Sequence, residues 1–259
     1  NYIFNNTPSN QAKNEKFTNQ RLLFYVNTNC VVIGKNQTVW REVYSNNLAS
    51  KGYDLLRRFS GGGTVVHDLG NVNYSFITSR DEFEREFFNK LIVKWLRGIN
   101  SSMPLGLNSR GDIVLRDRKI SGSAFKIAKG KAYHHGTMLI NSDIDQFHGL
   151  LKPSEMDGIS WECSSVDSVR SDVVNLPLQS TQQFIEICIA GFKSHFEAIQ
   201  PNHRVIPVYY CDENVTINDE IRKYASNLQS DEWKYFSGPK FSLKIANGNH
   251  LITVEKGII

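Results

Sequence analysis

Residues 109 to 141, SRGDIVLRDRKISGSAFKIAKGKAYHHGTMLIN, leave the backbone little choice. Short β-branched and apolar runs alternate with the turn tetrads RDRK and AKGK, which read as tight reversals between strands. Neighbouring strands joined this closely must run antiparallel, because a parallel return needs a crossover of a dozen residues or more. The middle of the chain is therefore expected to be a meander.

Elements of other kinds flank it. RLLFYVN and CVVIGKN, separated by TN, read as two strands of a hairpin, and TVWREVYSNNLASKG as one helix stopped at Gly52. SRDEFEREFFNKLIVKWLRGI predicts a helix capped at Ser79 or Asp81, with Phe83, Phe87, Leu91 and Trp95 at four-residue steps. SDIDQFHGLLKP reads as a short helix closed by Pro153, and two further helices are expected in STQQFIEICIAGFKSHFEAI and NDEIRKYASNLQSDEWKYF. KFSLKIANGNHLITVEKGII predicts two strands around the turn NGN, residues 5 to 20 a connecting loop, and NYIF the end of a helix. The fold class that follows is α+β, a mixed and mostly antiparallel sheet flanked by helices.

Composition narrows the function. With 259 residues, 40% hydrophobic and 22% charged, the chain has the profile of a soluble globular protein large enough for a sizeable core. A net charge of +4 with dispersed acids favours an anionic small molecule or an acidic protein over nucleic acid. Apolar runs such as CVVIG and CIAGF fall well short of the roughly 20 residues needed to span a bilayer, so no membrane partner is expected. Cys30, Cys163, Cys188 and Cys211 stand far apart without a CxxC pair, which suits a reducing compartment and disfavours structural zinc. The sequence begins with Asn and shows no signal pattern, so any targeting segment is expected outside it.

Three clusters could carry chemistry. In RRFSGGGTVVHD, residues 57 to 68, three glycines can bring bare main chain against an anion beside two arginines; a flexible hairpin tip is the plainer explanation. On a strand, Arg57 and Arg58 point opposite ways, so only one can face such a ligand. In GDIVLRDRKISGSAFK, Lys119 precedes the small residues SGSA, which leave room for a ligand, although a lysine at a turn is most often solvated. In YHHGTM, His134 and His135 cannot easily share one metal, and one of them, like His67, is a candidate to face a pocket. The Walker, GxGxxG, GxSxG and HExxH patterns are absent. Cys163 in WECSSVDSVR has a polar, loop-like setting in which a thiolate could react; a lone loop cysteine is more often inert.

VVIGKNQTVWREV, RRFSGGGTVVHDLGNVNYSF, GDIVLRDRKISGSAFK, YHHGTMLIN and SVDSVRSDVVNL, in this order and spacing from about residue 21 onward, resemble the lipoate–protein ligase A and lipoyltransferase family, most of all its fungal mitochondrial members. The resemblance implies a class II synthetase-like catalytic domain shared with biotin ligases, here residues 1–240, with 241–259 the start of a small and incomplete C-terminal domain. It also implies a reaction in which lipoate or octanoate is activated by ATP and Mg²⁺ as an acyl-adenylate. The acyl group then passes to a lysine of lipoyl domains of 2-oxoacid dehydrogenase E2 subunits or of the glycine-cleavage H protein. A monomer and a mitochondrial location, with the cytoplasm as alternative, are expected.

Carried over residue by residue, the resemblance makes Lys119 the catalytic cation that contacts acyl carbonyl and phosphate. Arg58, Ser60 and Gly61, Gly62 and Gly63 would line the acyl-adenylate, with His67 near the lipoyl end and Trp40 and Val65 walling an apolar tunnel that gains about 0.8 kcal/mol per buried CH₂. Ser121, Gly122, Ser123 and Ala124, with His135, Gly136 and Thr137, complete the lining. Asp112 would sit near nucleotide and Mg²⁺, while Arg57 would be the outward arginine and the milder one to replace. Gly111 and Lys126 depart from bacterial ligases, which commonly show Asn and Arg there. Biotin ligation is disfavoured because GRGRxG is missing. Two other readings stay open: a thiol-dependent amidotransferase working through Cys163, and a silent module that docks lipoyl domains.

Overall fold

The expected meander is present in the computed structural model, which describes residues 1–9, 17–153, 155–198, 205–212, 214, 217–245 and 250–259. In chain order the elements are α1 (Tyr2–Asn6), β1 (Arg21–Tyr25), β2 (Cys30–Ile33), α2 (Val39–Glu42), α3 (Ser45–Ser50), β3 (Asp54–Arg57), β4 (Val65–His67) and β5 (Asn71–Ser79). Then follow α4 (Phe87–Ile99), β6 (Leu105–Leu107), β7 (Ile113–Leu115), β8 (Arg118–Ser121), β9 (Ser123–Ala128) and β10 (Lys131–Leu139). A 3₁₀ turn (Ile144–Phe147), β11 (Ile159–Cys163), α5 (Thr181–Glu197), α6 (Asp219–Gln229), a π-helical turn (Glu232–Phe236), β12 (Phe241–Ile245) and β13 (His250–Val254) complete the chain. The described residues form two units, residues 1–27, 69–142 and 171–219, and residues 28–68, 143–170 and 220–259.

The first unit is built on a four-stranded antiparallel sheet in the order β1-β5-β10-β9. Its AKGK reversal works because Lys129 (φ 52°) and Gly130 (φ 69°) both adopt the left-handed conformation that a tight hairpin demands. A second antiparallel sheet, β6-β7-β8, continues the meander. Helices α4 and α5 supply Phe88, Ile92, Leu96, Phe184, Phe192 and Phe196 to a core shared with Val72, Tyr74, Phe76 and Met138 of the sheet. The rings of Phe76 and Phe88 stack at 4.5 Å. Burying each such side chain contributes about 1.5–3 kcal/mol, which fixes the helices against the sheet and so the strands that carry the polar groups described below. Ser180 caps α5 by accepting from the Gln183 N–H at 3.1 Å.

The second unit holds a sheet in the order β3-β2-β4, parallel between β2 and β3 and antiparallel between β2 and β4, over a core of Val31, Ile33, Val39, Val43, Leu48, Tyr53 and Leu150. Its other sheet, β11-β12-β13, is antiparallel and pairs Ile159–Cys163 with Phe241–Ile245, so part of the segment expected to open a C-terminal domain is a strand neighbour of residues 159–163. The NGN turn expected at 247–249 and residues 10–16 of the expected loop lie outside the described residues.

The α+β class holds, while several local expectations do not. RLLFYVN and CVVIGKN are strands but not a hairpin: β1 pairs with β5, and β2 with β3 and β4. Strand propensity names the conformation and leaves the partner to tertiary packing. The long helix begins at Phe87 and not near Ser79. Ser79 accepts from the Glu82 N–H, Glu82 accepts from the Phe17 N–H at 2.7 Å, and Phe83 packs edge-on against Phe125 at 5.5 Å, so distant partners take the first expected turn. The helix expected over TVWREVYSNNLASKG is broken into α2 and α3, where Val43 bridges Leu151. Gly52 (φ 69°) ends it as expected. Cys163 ends strand β11 and does not lie in a loop; its Sγ is 3.6 Å from Arg41 Nη1.

Candidate active site

In the first unit, Asp112 is presented by a turn that Asn108 organises. Asn108 Oδ1 accepts from the N–H groups of Arg110 and Asp112, both at 3.0 Å, and Gly111 takes φ 80°. Lys119 lies on β8, where the pairing with β7 shifts register between Ile113 and Val114. Such an irregularity re-aims a side chain. Its own backbone is held on the other side by Asp172, which accepts from the Lys119 N–H at 2.9 Å, and by Val174, which donates to the Lys119 carbonyl at 3.0 Å.

The result is an ion pair, Lys119 Nζ to Asp112 Oδ2, of 3.0 Å, with the carboxylate side chain 6% and the lysine side chain 20% exposed. Gly122 makes the lysine's position possible: a Cβ there would lie 2.9 Å from Lys119 Cε and 3.0 Å from Nζ. The small residues after the lysine, read from sequence as room for a ligand, first make room for the lysine itself.

β9 and β10 bring the other expected residues of this unit together. Ser123 pairs with Gly136 and Ala124 with His135, and Thr137 donates its N–H to the Gly122 carbonyl at 3.0 Å. His135 is half-buried with its ring 5.2 Å from that of Tyr133. His134 is the buried one, with Phe125, Tyr74 and Phe88 around it, and burial pushes its pKa down to about 3.

In the second unit Arg57 does not take its expected outward place. Arg57 is fully buried and spends its donors on main-chain carbonyls: Nη1 on Gly34, Lys35 and Gln37, Nε on Trp233 and Lys234, and Nη2 on Lys234. The Trp233 Nε1–H returns a bond to the Arg57 carbonyl at 2.7 Å. Burial lowers the guanidinium pKa to about 10 and leaves it charged at neutral pH. The expectation of an outward Arg57 is thus corrected: alternation put the two side chains on opposite faces, but this short strand is covered on the Arg57 side. Arg58 is half-buried and folds onto the glycine turn, donating through Nη2 to the Gly61 carbonyl at 2.7 Å and through Nη1 to Val32 at 3.1 Å.

The turn itself is closely held. Gly62 has φ 91°, and its carbonyl approaches so near that a Cβ on Gly34 would meet it at 1.9 Å. The buried Ser60 accepts the Lys35 N–H at 2.8 Å through its carbonyl. Thr64 donates its N–H to Ser168 Oγ at 2.8 Å and sets its hydroxyl 3.0 Å from Gln37 Oε1 and 3.1 Å from Glu42 Oε2. Ser168 also donates to the buried Glu42 carboxylate and receives Gln37 Nε2 at 3.0 Å.

His67 on β4 is buried, with Nδ1 3.9 Å from Cys30 Sγ; burial first, then the Arg58 charge, lower its pKa to about 4. Val65 pairs with Val32 on the same sheet. The Trp40 ring lies 5.7 Å from Phe241 and 6.2 Å from Tyr235, in a cleft it lines with Thr38, Arg57 and Gly238.

Asn89 and Tyr74 in the first unit, and Gln37, Glu42 and Ser168 in the second, escaped the reading of the sequence. A signal existed for two of them. Asn89 interrupts the apolar face of α4 among Phe88, Leu91 and Ile92, and Glu42 sits between Val39 and Val43. A polar residue on a buried stripe must have a partner. Among the described residues no group of three or more His, Cys, Asp or Glu side chains could hold a metal ion, and no helix is long and apolar enough to cross a membrane.

Comparison with known proteins gives the family. The model of the lipoyl protein ligase A/B catalytic domain matches residues 2–193. A Saccharomyces cerevisiae protein named as a candidate lipoate-protein ligase A is 55% identical over 259 residues, covering 100% of this chain, which spans 62% of that relative's length. The crystal structure of P. falciparum LipL1 in complex with lipoate superposes with a TM-score of 0.70 and 31% identity, over 86% of this chain and 63% of that one. Lipoate-protein ligase A bound with ATP superposes with a TM-score of 0.60 and 25% identity, over 83% of this chain and 85% of that one. The chain belongs to the family of lipoyl protein ligase A/B catalytic domains.

Proposed function

We propose that the chain attaches lipoyl or octanoyl groups to a specific lysine of lipoyl-domain proteins by way of an acyl-adenylate. The observation that carries this reading is the Lys119 ammonium, held 3.0 Å from Asp112 and given its space by Gly122, within the motif that matches the family's central lysine. The lipoate-bound and ATP-bound relatives support the two substrates.

In the first stage a carboxylate oxygen of the acid attacks the α-phosphorus of ATP. A new O–P bond forms as the bond to pyrophosphate breaks. Both reactants are anions, so the reaction gains most from fixed cations and donors where charge accumulates. Lys119 is such a cation. In the second stage the neutral amine of the acceptor lysine attacks the acyl carbonyl, AMP leaves with the electrons of the C–O bond, and the amine gives up a proton. Lys119 is the charge clamp of both stages and is not itself acylated.

Asp112 orients Lys119. The buried Asp112 carboxylate also fits magnesium, which commonly takes one or two protein carboxylates and fills its other positions with water and substrate phosphate. Asp112 would hold the ion, which neutralises phosphate charge when bound. Ser121–Ala124 and His135–Thr137 would line the ligand in the first unit. In the second, the Gly61–Gly63 turn with Ser60 and Arg58 would offer main-chain N–H groups and charge to an anion. His67, neutral at pH 7, with Val65 and Trp40 would suit an apolar chain. Lipoyl domains of E2 subunits and the H protein would be the acceptors, a monomer the working form and the mitochondrion the location.

Pyrophosphate release tests the reading. The wild-type chain should release it from ATP only when lipoate or octanoate is present, and Lys119→Ala should not. Acyl transfer from an octanoyl thioester without any acid-dependent pyrophosphate release would overturn the adenylate route.

A further inference from the structure

We propose that Asn89 and Tyr74 are positioning residues that set the geometry of the Asp112–Lys119 pair; the inference rests on the reading of Lys119 as the catalytic cation. Asn89 projects from α4 and, like Tyr74 on β5, has no exposed surface. Asn89 Nδ2 donates to the Gly111 carbonyl at 2.8 Å and to Ser123 Oγ at 3.0 Å, while Oδ1 accepts from the Tyr74 hydroxyl at 2.8 Å. The carbonyl partner fixes which end of the amide is nitrogen, since a carbonyl only accepts.

The direction of the whole chain of bonds follows. Tyr74 has one proton and gives it to Asn89, so in the 3.0 Å contact between Tyr74 and Ser121 the serine is the donor. Protons therefore run from Ser121 to Tyr74, from Tyr74 to Asn89, and from Asn89 to Gly111 and Ser123. The three hydrogen-bonding positions of the Asn89 amide used here are all filled by these partners.

The places where this network ends are the two backbone segments that determine the ion pair. Gly111 immediately precedes Asp112. Ser121 and Ser123 bracket Gly122, the residue whose missing side chain leaves space for Lys119. Gly136 adds an independent sign that the Tyr74 hydroxyl must reach this spot: a Cβ at Gly136 would lie 2.4 Å from that oxygen. The amide of Asn89 thus links a helix embedded in the core to both sides of the reactive lysine. Neither Asn89 nor Tyr74 needs to touch substrate to matter, because an ångström of misplacement at a reacting centre can cost about a hundredfold in rate.

The test uses Tyr74→Phe in the full chain, a change that keeps the ring against Phe88 and removes only the hydroxyl. With lipoate and ATP, kcat for pyrophosphate release should fall by about tenfold to a hundredfold, while KM for lipoate stays within about twofold, as expected when ground-state binding is untouched. Asn89→Ala removes the acceptor of the same hydroxyl together with the donor to Gly111 and serves if Tyr74→Phe does not fold. Combined, the two changes should cost far less than the product of their separate losses, because they break one network. A kcat within about twofold of wild type for the folded variant, a loss confined to KM, or multiplicative losses in the double variant would each overturn the inference. If wild type itself releases no acid-dependent pyrophosphate, or Lys119→Ala remains active, it is the reading of Lys119 that fails.

Discussion

Arg57 and Lys119 are both cations in motifs that look functional, and the structure treats them in opposite ways. Arg57 has no exposed surface and donates to the carbonyls of Gly34, Lys35, Gln37, Trp233 and Lys234. Lys119 is paired with one carboxylate and stands beside a glycine, with part of its side chain in contact with solvent. A cation whose donors are consumed by fixed carbonyls is architecture. One with a single anionic partner and part of its side chain in solvent can still lend its charge to something else. The number of partners, more than the presence of charge, separates a structural site from a chemical one.

The largest expected effect that could break this contrast is on activity. Lys119→Ala should lower lipoyl transfer by about 10²–10³-fold, the usual loss when a donor to developing charge is removed. Lys119→Arg should also fail, because the planar fork does not reproduce an ammonium's reach. Transfer assays on a lipoyl domain decide both.

Next comes stability. Arg57→Ala should cost about 3 kcal/mol or more in urea unfolding, since it orphans several buried carbonyls at once. Arg58→Ala should cost about 1 kcal/mol, as half-exposed polar contacts do, and should reduce activity more than stability. An Arg57 variant less destabilised than the Arg58 variant would put Arg57 back on the outward face and contradict the structure.

The buried histidines sharpen the comparison, because among the described residues each unit has one. His134 and His67 have folded pKa values lowered to about 3 and about 4, below the ordinary 6.5. The unfolded chain therefore binds the proton first. The stabilisation is complete above about pH 6.5 and is lost as pH falls toward those folded values. At pH 5 each should cost about 2 kcal/mol relative to pH 7. His134→Phe should flatten the acid limb of a stability-against-pH curve; an unchanged limb would mean that His134 is not buried in its neutral form.

The smallest effect concerns the glycine turn. Ser168→Ala should cost about 1 kcal/mol, by removing the hydroxyl that joins Thr64, Gln37 and Glu42. Gly61→Ala should stay within about 0.5 kcal/mol, since a Cβ there meets nothing within 4 Å. Calorimetry on the pair tells a turn clasped by side chains from one held only by its glycines.

The sequence made the strands of the meander, α4 through its apolar steps and the two clusters around Gly62 and Lys119 legible, because period and turn chemistry are local. It did not reveal partners. Nothing in CVVIGKN says that β2 pairs with β3 and β4 rather than β1, and nothing local in RRFSGGG says that residues near 233 cover Arg57. Asn89 was readable as a polar break in an apolar face but not as a support for Lys119, since Gly111 and Ser123 are 22 and 34 residues away. Long-range hydrogen bonds are chosen by packing, and single-sequence patterns carry no record of that choice.

Mass spectrometry of a lipoyl domain incubated with the full chain tests the central claim most directly. With lipoate, ATP and magnesium, the account predicts one lipoyl group added to one lysine of the domain by the wild-type chain, at a rate about 10²–10³-fold above that of Lys119→Ala. Equal modification by the two chains, or modification that proceeds without ATP from free lipoate, would contradict it.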